Sequence, residues 1–243
     1  MHDDLQAAAH DRRLQIAIDG PAGAGKSTVG FGIANSLSCT YVDTGLMYRA
    51  VTWQAQEQGV SLADGEALAA VATRLHFDFA GRLGERFLID GLEPGPLLRS
   101  PEIDANVSTV SAHPELRAVL VSRQRDLAAQ GCTVMVGRDI GTVVLPAALK
   151  FWITASPEER VRRRLNERAD GQHAGSSADL TEQLRERDRY DSSRPESPLR
   201  PADDALALVT DNQSAEQVIG AAMDIISRYL AAGVCSSHSA QER

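Results

Sequence analysis

Residues 19–28 read DGPAGAGKST and follow the apolar run LQIAI at 14–18. The stretch fits GxxxxGKS, with Gly20, Gly25, Lys26 and Ser27 in register, and so points to a nucleoside triphosphate. Each residue type has a physical reason. Glycines let the backbone wrap closely around phosphate oxygens in conformations other residues resist. The lysine reaches the outer phosphates, and the serine hydroxyl can join a Mg2+ shell. A helix starting near Lys26, over STVGFGIANSL, adds its positive end to the same anion. A Gly-rich turn that merely links strand to helix is the plainer reading, and the strand before and helix after it favour the phosphate loop. Composition agrees, because Lys26 and Lys150 are the only lysines among 25 basic residues. A chain that otherwise relies on arginine has lysine where this loop requires it.

The 243 residues, 43% of them hydrophobic, suffice for one α/β domain with inserted subdomains. A net charge of −8 argues against bulk nucleic-acid or membrane-surface binding, although arginines can still gather in one cleft. Cys39, Cys132 and Cys235 are widely spaced and form no CxxC or Cys/His pattern, so free thiols in a reducing cytoplasm are expected, with neither disulfide nor zinc. The leader MHDDLQAAAHDRR lacks the order of a signal peptide, and no apolar run reaches membrane-spanning length. A soluble, cytoplasmic, monomeric protein is the expectation.

Residues 1–13 and 233–243 are polar and aperiodic and read as frayed tails around a domain at 14–232. Short apolar runs LQIAI, TYV (40–42), CTVMVG (132–137), LKFWIT (149–154) and ALALV (205–209) suit a buried parallel sheet. Helical patterns at about 26–38, 45–58, 102–130, 156–169, 178–191 and 214–231 separate them. The fold class predicted is α/β, a P-loop NTPase fold with a parallel sheet core. LHFDF and RFLID interrupt that alternation as an antiparallel pair, in an insert at about 62–100. ADGQHAGSS at 169–177 reads as a mobile loop within an Arg-rich lid at about 155–194.

Three further stretches carry charge. DTGLMYRAV at 43–51 opens a helix, and Arg49 lies one turn from Gly45, which makes a second anion site; an ordinary N-cap fits the local sequence equally. VGRDIGTVVLP at 136–146 places Arg138 and Asp139 at the carboxyl edge of the sheet, where open α/β folds bind ligands. A surface ion pair is the alternative there. ASPEERVRRRLNER at 155–168 and LRERDRYDSSRPESP at 184–198 offer Arg160, Arg163, Arg164, Arg187 and Arg194. Each alone suits a solvated helix face, and together they suit an arm closing over phosphates.

These stretches, with VSTVSAHPELR at 107–117, occur in the order and at the spacing of the bacterial cytidylate kinases, and the chain resembles that family from about Leu14 to Leu230. The resemblance implies ATP or dATP as donor, CMP or dCMP as acceptor, and Mg2+. It makes Gly20, Pro21, Ala22, Gly23, Ala24, Gly25, Lys26, Ser27 and Thr28, with Arg160 and Arg164 of the lid, the expected ATP site, with Ser27 on the metal. Thr44, Arg49, Arg138 and Arg194 look like ligands of the monophosphate, Arg187 and Asp191 like sugar contacts, and Ser108, Arg117 and Asp139 like contacts to the cytosine. Lys26, Arg138, Arg163 and Arg194 are the expected catalytic residues. One departure is DALALVTDN, which lacks the Asp-Thr-Thr often found after the family's last strand.

The chemistry agrees with a phosphate acceptor. Such an acceptor is already ionised near neutral pH and needs positioning and charge neutralisation more than a base. None of the six histidines falls in the phosphate loop, 43–49 or 136–142. The competing readings are a UMP or AMP kinase, a shikimate- or gluconate-type kinase with Asp43 as base, and a non-kinase P-loop switch.

Overall fold

The computed structural model describes residues 2–169 and 177–238. Helix α1 (His2–Asp11) leads into β1 (Gln15–Asp19), the phosphate loop and α2 (Lys26–Leu37), then β2 (Thr40–Asp43) and α3 (Thr44–Glu57). The insert follows as α4 (Gly65–Arg74), the antiparallel pair β3 (Phe77–Ala80) and β4 (Arg86–Ile89), and a 3-10 turn at Gly95–Arg99. Next come α5 (Pro101–Val110), α6 (Pro114–Ala128), β5 (Thr133–Val136), a π-helical turn at Ile140–Val144 and β6 (Leu149–Thr154). Helices α7 (Pro157–Ala169) and α8 (Ser177–Ser193) follow, before β7 (Leu206–Val209) and α9 (Ala215–His238).

Five strands pair in parallel in the order β2-β5-β1-β6-β7. Alternation along each strand divides the core. Ala17, Val42 and Met135 face a layer built from α3, α4, α6 and the hairpin, while Ile16, Ile18, Tyr41, Val134 and Val136 face α1, α2 and α9. Register then positions the site: Ile18 lies beside Val136, and Val136 beside Asp43. The segments after β1, β5 and β2 therefore leave the sheet at one level, at the point where strand order reverses around β1.

Four expectations change. The helix foreseen over 102–130 is two, because Pro114 supplies no N–H and holds His113 extended (ψ 120°), so the chain turns and restarts with proline in the first helical turn. The insert is not only a hairpin: Asp64 accepts from Ala67 N at 2.9 Å and starts α4, whose Leu68, Val71 and Ala72 are buried. The leader is no frayed tail. Ala9 is buried, Leu5 and Ala8 pack against the same core, and Gln6 Nε2 donates to Ser36 O at 3.0 Å. At the other end α9 continues to His238, beyond the expected boundary at Ala232. The loop expected at 169–177 falls almost wholly outside the described residues, as does 239–243.

The cysteine expectation is also corrected. Cys39 and Cys132 form a disulfide, with Cα atoms 4.9 Å apart. They precede β2 and β5, which are neighbours with Thr40 opposite Thr133, so the register brings the two side chains together. Spacing along the chain carries no trace of this, because 93 residues separate the pair. Among the described residues, no helix is long and apolar enough to cross a membrane.

Candidate active site

The phosphate loop holds its shape through backbone geometry. A Cβ at Gly20 would run into the carbonyl oxygen of Ile153, and Gly25 stands at φ 90° as the residue before α2. Lys26 Nζ donates to Pro21 O at 2.7 Å, folding the lysine across its own loop. Burial pushes its ammonium well below the ordinary lysine value, and Arg138 adds to this, while Asp43 and Asp19 oppose it. Ser27 Oγ donates to Asp43 Oδ2 at 3.1 Å, while Asp43 Oδ1 accepts from Gly45 N and caps α3.

The opposite end is made of side chains from several elements. Thr44 Oγ1 donates to Val136 O at 2.9 Å. Arg49 of α3 donates to Leu98 O at 2.8 Å and pairs with Asp104 of α5. Arg117 of α6 is buried over the Tyr48 ring and pairs with Asp139, so the Arg138-Asp139 corner is tied to α6. Arg138 Nε lies 3.4 Å from Asp191, and Arg194 Nη2 reaches Asp191 at 2.5 Å, Ser111 Oγ at 2.9 Å and Ser108 O at 3.0 Å. Arg187 lies 3.6 Å from Asp104. Burial, then Arg138 and Arg49, push the Arg187 guanidinium down to about 10 against the pull of Asp191 and Asp104. It remains a cation at neutral pH.

One cleft of about 630 Å³ opens between these ends. Ala22, Gly23, Gly25, Lys26, Ser27 and Thr28 line it at the loop, and Thr44, Arg49, Ser108, Arg117, Arg138, Asp139, Arg187, Asp191 and Arg194 line it opposite. Arg163 and Arg164 of α7 also line it. Gly20, Pro21 and Ala24 are not in the lining, and neither is Arg160. Arg160 is buried, donates to Ala22 O at 3.1 Å and pairs with Asp188 at 2.5 Å, which joins the loop to both α7 and α8. Arg163 binds Thr210 through Oγ1 at 2.9 Å and O at 2.8 Å.

Sequence reasoning gave two of these residues no role. Asp19, the first residue of the quoted stretch, is buried and accepts from Ile140 N at 2.8 Å and Gly141 N at 2.7 Å. It ties the base of the phosphate loop to the π-helical turn after Asp139. Burial raises its carboxyl to about 6 and outweighs those two hydrogen bonds. Thr210, in the segment that departs from the family pattern, donates to Ala24 O at 3.2 Å and so packs against the loop. A polar residue directly after a short apolar run was the available signal in both cases.

A phosphate loop after the central strand of this sheet, facing an arginine-lined pocket across one cleft, defines a small P-loop kinase. The sequence matches the family model for cytidylate kinase over residues 16–228. A cytidylate kinase from Desulfitobacterium hafniense (strain Y51) is 43% identical over 232 residues, covering 94% of this chain and 99% of that protein. One from Bacillus cereus (strain G9842) is 43% identical over 219 residues, covering 89% and 97%. The chain belongs to the cytidylate kinase family. A shikimate kinase from Acinetobacter baumannii in complex with shikimate overlaps more loosely, with TM-score 0.44 and 15% identity over 90% of this chain and 93% of that one.

Proposed function

We propose that this enzyme transfers the γ-phosphate of ATP to CMP and dCMP, giving CDP and dCDP. The observation that carries the reading is the single cleft in which the phosphate loop and the buried Arg117–Asp139 pair both stand. ATP lies with its phosphates along Gly20–Thr28, and the acceptor phosphate meets Thr44, Arg49, Arg138 and Arg194. Lys26 exchanges the Pro21 carbonyl for the outer phosphates of ATP. Arg138, Arg163 and Arg194 bring positive charge toward the transferring group from the acceptor side and the lid. Because that transfer spreads charge over phosphoryl oxygens, oriented cations supply most of the rate enhancement. The acceptor oxygen attacks without a protein base.

The donor end also suits Mg2+. Ser27 Oγ and Asp43 Oδ2 are hard oxygen donors 3.1 Å apart, and no cluster of three or more His, Cys, Asp or Glu side chains occurs among the described residues. One or two protein oxygens, completed by phosphate and water, is the coordination Mg2+ favours. When bound, the ion neutralises charge between the outer phosphates.

At the other end, a carboxylate accepts from the N4 amino group of cytosine and repels the carbonyl that uracil places there. Asp139 is that carboxylate, with Ser108 and Arg117 on the remaining polar edge, and Arg187 and Asp191 toward the sugar. The protein acts as a monomer on cytoplasmic nucleotides, a compartment in which the Cys39–Cys132 bond meets a reducing environment. A coupled assay of ADP release with Mg-ATP and CMP, dCMP, UMP, AMP or shikimate tests the reading. CMP and dCMP should give the highest kcat/KM. Faster turnover of any other acceptor, or equal ATP hydrolysis with none present, would overturn it.

A further inference from the structure

Asp104 has no role in the phosphate loop or in the assignments above, yet it sits where two of the acceptor-side arginines converge. It lies in the first turn of α5, one helical turn before Ser108, whose residue lines the cleft. Its Oδ1 is bonded by Arg49 Nη2 and stands 3.6 Å from Arg187 Nη1. The other terminal nitrogen of Arg49, Nη1, donates to Leu98 O at 2.8 Å. Both terminal nitrogens of the guanidinium that should grip a phosphate therefore already have protein acceptors. Arg187 Nε is buried with no hydrogen-bond partner, so this cation is only partly satisfied by Asp104. Burial would raise the Asp104 carboxyl, but Arg49, Arg164 and Arg187 hold it below its ordinary value. It is an anion at neutral pH.

A bidentate grip by arginine needs two N–H groups on one edge of the fork. On the edge that faces Asp104, Nη2 already serves one anion, so a phosphate gripping there displaces it, and a carboxylate left beside a dianionic phosphate repels it. Both effects have the same sign. We propose that Asp104 is a built-in rival anion, holding Arg49 in the substrate-free protein and competing for it with the phosphate of the acceptor. It thereby sets the affinity for the phosphate-bearing acceptor, and leaves affinity for the nucleoside alone. The proposal rests on the reading of this end of the cleft as the acceptor-phosphate site.

Calorimetric titration of CMP and of cytidine, which lacks the phosphate, tests it on the intact protein. Asp104→Asn keeps the shape and removes the charge, so the Kd for CMP should fall by roughly fivefold to fiftyfold. The Kd for cytidine should stay within about twofold, which also shows that the base pocket of the variant is folded. Asp104→Glu keeps the charge and should bind CMP as the wild type does. A phosphate preference that Asp104→Asn leaves unchanged or weakens would overturn the proposal alone, showing Asp104 to be a support for Arg49. Equal shifts for CMP and cytidine would overturn it too. Wild-type protein that binds CMP no more tightly than cytidine would remove the phosphate site itself, and the proposal with it.

Discussion

The two ends of the cleft are built by different means. The proposed donor end is one run of sequence, Gly20–Thr28, shaped by its backbone conformation, and its single charged side chain rests on its own loop at Pro21 O. The acceptor end draws on α3, α5, α6, α8 and the segment after β5, and its arginines meet carboxylates: Arg49 with Asp104, Arg117 with Asp139, Arg138 and Arg194 with Asp191. A backbone cradle needs glycines and a helix end in sequence, and nothing else. A side-chain cage needs a fold to assemble it and counter-ions to keep buried like charges together before the phosphate arrives.

The largest effect should come from the donor end. Lys26→Ala removes its only side-chain cation and should lower kcat by about a thousandfold or more, with the fold retained and CMP binding little changed. Near-normal turnover of the folded variant would break the contrast, since the backbone alone would then suffice. Below both ends lies the Cys39–Cys132 bond, which closes a loop of 93 residues. Reduction, or Cys39→Ala with Cys132→Ala, should cost about 4 kcal/mol of stability. It should leave kcat/KM at moderate temperature near its starting value, because the bond joins the ends of β2 and β5 remote from the cleft. Thermal unfolding that ignores reductant would remove the bond from the account of stability.

At the acceptor end, effects should be smaller and confined to one substrate. Asp139→Ala should shrink the CMP-to-UMP ratio of kcat/KM by roughly 1.5–3 kcal/mol, the worth of a charged hydrogen bond. Since Asp139 also pairs with Arg117, an unchanged ratio with equal loss for both acceptors would make it a support for that arginine. Arg49→Lys keeps the charge but loses the planar fork, so KM for CMP should rise about fivefold to tenfold while KM for ATP stays put. Equal changes in both would merge the two ends into one site.

The smallest effect tests the link between them. Asp19 should titrate near pH 6, with the amide shifts of Ile140 and Gly141 following its carboxyl. Its folded value is raised above the unfolded one of about 3.9, so the native state holds the extra proton in between. Stability from this group is therefore present below about pH 4 and is lost as pH rises to about 6. Asp19→Asn should flatten that window. An Asp19 that titrates at the ordinary carboxylate value would mean its site is not dry.

What the sequence determined by itself was the class of fold and the position of the phosphate loop within it. Short apolar runs, glycine punctuation and a contiguous phosphate loop are local features, and the seven strands among the described residues lie within a few residues of the runs that announced them. Local sequence offered Arg49, Arg138, Asp139, Arg187 and Arg194 as candidates, but a shared acceptor role came only through family resemblance, because Arg49, Arg117 and Arg194 have no mutual spacing that marks them as neighbours. Tertiary structure alone decided which partner each charge takes. It showed Arg160 bound to Ala22 O and Asp188 rather than lining the cleft, Asp104 between Arg49 and Arg187, and Asp19 beneath the Asp139 turn. It also decided the disulfide, since Cys39 and Cys132 meet only once β2 and β5 lie side by side. The physical reason is the same in each case. Strand and loop formation are written in short-range periodicity and backbone sterics, whereas ion pairs and sulfur contacts depend on sheet order and helix packing, which join residues far apart in the chain.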